Sequence, residues 1–240
     1  MIIILFLPTR KRLILLPNQT VLIMRFSIVL VLTLSTLIMF SCQAQKEESV
    51  SEIAIVQTEN VAIDSVYWNE ITKHRVDGDI EMKTGDHSPI EKDSLATFTG
   101  LNYYPIKKEW NVHAPYTLID TGKVFEMATT TERVIPMKKH GLIEFVMNGD
   151  TVQLFAYKYM DYPDEDLFVP FLDKTNGSIT YGGGRYIEVP YPVNDSVWVD
   201  FNKAYNPYCA YNHHYSCPIP PLENTLEIEV EAGEKVLYEY

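Results

Sequence analysis

Positive charge is what this sequence is short of. Lysine and arginine total 20 against 32 aspartates and glutamates, a formal charge of −12. Four of those cations, Arg10, Lys11, Arg12 and Arg25, fall in the first 41 residues, where there is no acid, so the remaining 199 residues carry −16. A nucleic acid needs a basic groove that releases counterions on binding, and this balance excludes nucleic acid as a partner. Also missing are an internal repeat and a phosphate loop opening a helix: Gly182, Gly183 and Gly184 lead into Arg185-Tyr-Ile-Glu-Val189, which alternates like a strand, so no nucleotide cofactor is implied. Cysteine is scarce, with only Cys42, Cys209 and Cys217 in 240 residues.

What is present begins with an export pattern. Arg25 precedes an unbroken run of apolar and small hydroxyl residues over 26–40, closed by Ser41-Cys42. Such a run, about 15 residues, suits a secretory signal core better than a membrane span of about 20. Phe40-Ser41-Cys42 resembles a bacterial lipobox, which implies cleavage before Cys42 and its lipidation; an uncleaved anchor is the alternative. Residues 1–23 hold a second apolar patch around Arg10–Arg12, so the start is either Met1, with a longer leader, or Met24. The expected organisation is a signal peptide over 1–41, a flexible tether over 42–63 and one domain over 64–240. The expected location is the bacterial cell envelope, with the protein held by its acyl chains on the periplasmic or the outer face. The acidic start of the tether, Lys46-Glu47-Glu48, is either a solvated spacer or an address for the outer surface.

The domain reads as mainly β, an antiparallel sandwich or partly open barrel with a short N-terminal helical element. Tyr67, Ile71 and His74 at helical spacing behind Asp64 predict a helix over residues 64–75. Asn148-Gly149 predicts a tight hairpin joining residues 142–147 to 151–157, and Thr121-Gly122 and Asn176-Gly177 mark further turns. Leu226, Ile228 and Val230 alternate with Glu227, Glu229 and Glu231, the pattern of a strand with one buried face. Ala232-Gly233 then turns the chain into residues 235–238.

Between residues 167 and 235 the sequence concentrates Gly, Asn, Asp and Pro beyond what ordinary sheet requires. Asn176-Gly177, Tyr181-Gly-Gly-Gly-Arg185-Tyr186, Asp200-Phe-Asn-Lys-Ala-Tyr-Asn-Pro207 and Cys217-Pro-Ile-Pro-Pro-Leu-Glu-Asn224 follow one another there. These motifs, with Ser88-Pro89 and Phe98-Thr-Gly-Leu101 upstream, resemble the uncharacterised prokaryotic family called domain of unknown function 1684. The resemblance reaches nearly all of the chain after the leader and implies no activity.

The block is the expected site, with Asp173, Asn176, Arg185, Asp200, Asn202, Asn206, Glu223 and Asn224 as ligand-binding candidates for a small polar or anionic molecule. Each has a structural alternative. Glycines serve bulges and close approaches, Asn and Asp fix turns, and Arg185 either pairs internally with an acid such as Asp173 or Asp200 or offers its fork to a ligand. Asp173, Asp200, Glu223 and His213 or His214 are candidates for an acid–base pair, which would make the protein a hydrolase-like enzyme. A third reading makes the block architectural and the protein an envelope scaffold. Cys209 and Cys217, exported together, are expected to form a disulfide; zinc held with His213 is the alternative. No cofactor is required by any of these readings.

Overall fold

The computed structural model describes residues 64–119, 123–162 and 166–237. The leader, Cys42, the tether, the Thr121-Gly122 turn and Tyr238 lie outside the described residues. The architecture is mostly β, a curled antiparallel half-barrel fronted by a helix. Helix α1 covers the described residues 64–84, nine beyond the expected end at 75. The helix runs on because Tyr67, Ile71 and Met82 are all buried and keep to one face. Among the described residues, no helix is long and apolar enough to cross a membrane.

After the short helix α2 (Lys92–Leu95), seven strands follow among the described residues: β1 (Asn111–Leu118), β2 (Val124–Ala128), β3 (Val134–Met147), β4 (Asp150–Tyr159), β5 (Leu167–Phe171), β6 (Arg185–Val189) and β7 (Ser196–Asp200). Their order is β6-β5-β4-β3-β1-β7, with β2 added alongside β3, and every pairing is antiparallel. The β3–β4 hairpin closes where the sequence placed it, through Asn148 at φ 54° and Gly149 at φ 89°, the left-handed pair a primed turn needs. β3 curls because its register with β4 slips between Lys139 and Gly141. Gly141 is required there, since a Cβ would stand 2.1 Å from the Tyr116 ring.

The inner face of the sheet carries a core that includes Ile143, Leu154, Phe171, Val199 and Phe201. Residues 226–232 complete it, although they are not the strand the alternation suggested. Leu226, Ile228 and Val230 are buried and the intervening glutamates exposed, as expected, but the segment runs as an irregular extended strap. Its backbone bonds to the loop after β5, through Leu226 N–H to Leu172 O at 2.8 Å and Lys174 N–H to Ile228 O at 3.0 Å. A smaller cluster of Met82, Ile90 and Phe98, with Leu101, Tyr208 and Tyr211 against it, seats the helical layer.

Candidate functional site

The eight residues grouped from the sequence do not converge on one surface. Arg185 is wholly buried: Nη2 donates to Asp173 Oδ2 at 2.8 Å and to Val230 O at 2.9 Å, and Nη1 donates to the carbonyls of Ala232 and Glu234. Asp173 Oδ1 accepts from the Thr175 backbone and hydroxyl and from Val230 N–H. Asn176 fixes the same turn by accepting from Asp173 N–H at 2.6 Å. The ligand role expected of Arg185 and Asp173 is corrected: a guanidinium so enclosed spends its fork on the protein's own carbonyls.

Asn224 is likewise internal. Its amide exchanges bonds with both backbone groups of Phe155 and donates to Pro170 O at 2.7 Å, pinning the proline-stiffened loop to β4 and β5. Glu223, beside it, is half-exposed and accepts from Lys139 and from the Tyr157 hydroxyl, each at 2.6 Å. Asp200 and Asn202 clamp α1 to the sheet: Tyr67 donates to Asp200 at 2.9 Å, and Asn202 donates to Tyr67 at 2.9 Å and to Lys107 O at 2.8 Å.

The cysteines need a second correction. Cys209 and Cys217 are free thiols, buried side by side, with Cys209 N–H donating to Cys217 Sγ at 3.1 Å. Their mutual hydrogen bond holds the Cys209 thiol below its usual range and raises that of Cys217. The expected bridge is not formed. His213 is exposed, and among the described residues no group of three or more His, Cys, Asp or Glu is placed to hold a metal.

The residues that do converge are Asn206 and several that the sequence reading passed over. A cavity of about 430 Å³ opens between α1 and the segments 205–208 and 233–235, with Glu234 in its wall. α1 contributes His74, Asp77, Glu81 and Met82; Tyr103, Tyr205 and Tyr208 supply aromatic walls. Gly233, at φ 74°, turns the chain so that Glu234 pairs with Tyr103 across an antiparallel bridge and its N–H reaches Ala204 O at 2.8 Å.

Glu234 is 2 % exposed. Its Oε2 accepts from Asn206 N–H at 2.8 Å, while Oε1 has no partner among the described residues. Asn206 Nδ2 donates to Lys235 O at 2.9 Å, which fixes the amide's orientation and leaves Oδ1 unpartnered as well. Buried acceptors without donors are rare and costly, of order 1–3 kcal/mol each. Burial pushes the Glu234 carboxyl up to about 8, against the bonds from Asn206 and the charge of Arg185, which lower it. His74, although exposed at the surface of α1, is lowered by partial desolvation, with Lys203 adding to the effect. The cavity therefore faces a neutral imidazole and a carboxylic acid that keeps its proton near pH 7.

The sequence held a signal for Glu234. Counting by two from Leu226 gives Ile228, Val230, Ala232 and Glu234, all buried, so a glutamate stands on the inward phase of an alternating segment. The polar block still bears on the site, as scaffold: Arg185 ties the carbonyls of Val230, Ala232 and Glu234 and so holds the strap that carries the carboxyl.

Among solved structures, the chain is similar to an uncharacterised protein of Haloarcula marismortui determined by solution NMR. The two are 34% identical with a TM-score of 0.59, over 72% of this chain and 96% of that one. No curated protein matches. Residues 96–235, which include Asn206, Glu234 and the Asp173–Arg185 pair, match the family described as protein of unknown function (DUF1684). That span is more than half of the sequence, and the chain belongs to this family.

Proposed function

We propose that the protein is a lipid-anchored envelope receptor for a small polar molecule, bound in the cavity between α1 and the Glu234 strap. The observation that carries this reading is a pair of buried polar atoms without protein partners among the described residues, Glu234 Oε1 and Asn206 Oδ1, on two residues that line an open cavity. Unsatisfied groups of that kind are disfavoured in a purely structural element and suit a site completed by a ligand. The anchor rests on the sequence alone, on the export run and Cys42. From the polar block the cavity draws Tyr205, Asn206 and Tyr208, and its lining includes no residue of Gly182–Arg185.

A second reading is supported by the opposed shifts of His74 and Glu234. A base kept neutral and an acid kept protonated in one cavity are the two halves of proton-transfer catalysis. It replaces the carboxylate candidates Asp173, Asp200 and Glu223, each of which is engaged by internal hydrogen bonds.

The test is a thermal-unfolding screen of the full chain against amines, alcohols, sugars and organic acids, repeated with Gly78→Leu. Gly78 lines the cavity and a Cβ there would sit 3.4 Å from the Tyr103 hydroxyl, so leucine obstructs the space. A receptor gives ligand-dependent stabilisation that Gly78→Leu abolishes. Stabilisation unaffected by the blocking variant would move the site elsewhere.

A further inference from the structure

We propose that the cavity's ligand is an organic cation: a protonated amine on a compact apolar body, with its N–H groups on Glu234 Oε1 and Asn206 Oδ1 and its body among Tyr103, Tyr205 and Tyr208. This rests on the receptor reading and narrows it to one chemical class.

Three independent features point the same way. The first is the sign of the unmet hydrogen bonds. Among the described residues, both buried polar atoms without a protein partner on the cavity-lining residues are oxygens: Asn206 Oδ1 accepts, and Glu234 Oε1 accepts once its carboxyl is ionised, so the partner that meets both is a donor with at least two N–H or O–H groups. Against the ionised carboxyl an anion would place acceptor against acceptor. The second is the wall itself. Three tyrosine rings line one space, and aromatic faces attract cations. The protein already uses this interaction at one of the three rings, where the Arg75 guanidinium lies 4.5 Å from the centre of the Tyr103 ring.

The third feature is charge. Asp77 and Glu81 on α1 join Glu234 in the lining, with no lysine or arginine among the lining residues. Lys73 pairs with Asp77 from the exposed side, and no ion pair is formed by Glu81 among the described residues. The other charges acting on the site are distributed around it. Asp79 on α1 reinforces the negative field at Glu234, Arg185 behind the strap opposes it, and Lys203 and Arg75 act on His74. The groups presented to the cavity itself remain acidic or neutral.

Binding of a cation draws the proton off Glu234, because the ammonium favours the carboxylate. Affinity for a cationic ligand therefore rises with pH below 8, by about tenfold per unit where Glu234 is protonated in the free protein. A neutral ligand of the same shape shows no such rise.

The experiment is isothermal titration of the full chain with benzylammonium, benzyl alcohol and benzoate at pH 6, 7 and 8, on wild type, Glu234→Gln and the blocking variant Gly78→Leu. The expected result is benzylammonium at least about tenfold tighter than benzyl alcohol at pH 8, a gap that narrows toward pH 6, and no binding of benzoate. Glu234→Gln should reduce the benzylammonium affinity at pH 8 by at least about tenfold and leave benzyl alcohol unchanged. Benzyl alcohol or benzoate binding as tightly as benzylammonium, with loss in Gly78→Leu, would overturn the cationic class while leaving the cavity as the binding site. Binding of any of the three that survives Gly78→Leu would overturn the receptor reading along with it.

Discussion

Asp173 and Arg185 meet at 2.8 Å with both side chains fully buried, and the same guanidinium then bonds the carbonyls of Val230, Ala232 and Glu234. One ion pair thus ties the turn after β5, the start of β6 and the C-terminal strap. The motif that stands out most in the sequence supports the strap that carries Glu234.

Removing either partner leaves a buried charge uncompensated. Arg185→Ala and Asp173→Asn should each destabilise by about 3–5 kcal/mol in denaturant unfolding. Arg185→Lys keeps the charge and loses the planar fork, and with it some of the carbonyl bonds, so its cost should be smaller, about 1–3 kcal/mol. A double variant replacing both residues with apolar side chains should cost less than the sum of the singles. Losses under 1 kcal/mol in all of them would show that the pair does not support the strap.

The glycine run separates cleanly in the structure. Gly184 has φ 88°, and a Cβ there would stand 2.6 Å from Phe171 O and 2.8 Å from Pro220 Cγ. At Gly182 the nearest atom to an added Cβ is 3.6 Å away. Gly184→Ala should therefore destabilise by at least about 1–3 kcal/mol, and Gly182→Ala by well under 1. Equal melting temperatures for the two variants would contradict the close approach at Gly184.

The anchor has its own test. With Cys42→Ser, expression should leave an unprocessed precursor that incorporates no labelled fatty acid, while wild type is labelled and membrane-bound. Equal labelling of the variant would remove the lipoprotein assignment.

Features set by local chemistry were legible in the sequence. Asn148-Gly149 dictates its hairpin because both residues tolerate positive φ, and the inward phase of Leu226, Ile228 and Val230 follows from alternation alone. The strand state of that segment was not legible, because an extended chain becomes a strand only when a partner takes its backbone bonds, and here Arg185 and the loop after β5 take them. Asp173, Arg185, Asn202 and Asn224 were visible as unusual, but their side chains are turned inward by packing that composition does not encode. Glu234 was overlooked for the converse reason: among Glu227, Glu229 and Glu231 it looks like another solvated acid, and only its phase and the covering helix distinguish it.

The buried Glu234 carboxyl makes a prediction about stability that is separate from any ligand. Its ordinary value of 4.5 is raised to about 8, chiefly by burial. The folded state therefore holds a proton that the unfolded chain releases, and stability falls as pH rises between about 4.5 and about 8. The contribution is absent below that window and reaches its full unfavourable size above it, at most about 5 kcal/mol from a rise of this extent. Glu234→Gln mimics the protonated carboxyl, keeps an oxygen for Asn206 N–H and cannot ionise. The variant and wild type should have matching stability near pH 4.5, and the variant should gain steadily as pH rises, becoming several kcal/mol more stable by pH 8.5. Denaturant titrations at four or five pH values would read this difference directly, with the other titrating groups common to both proteins. Parallel profiles would mean that Glu234 ionises in the fold as freely as in water, and the cavity would lose the acid on which its proposed chemistry depends.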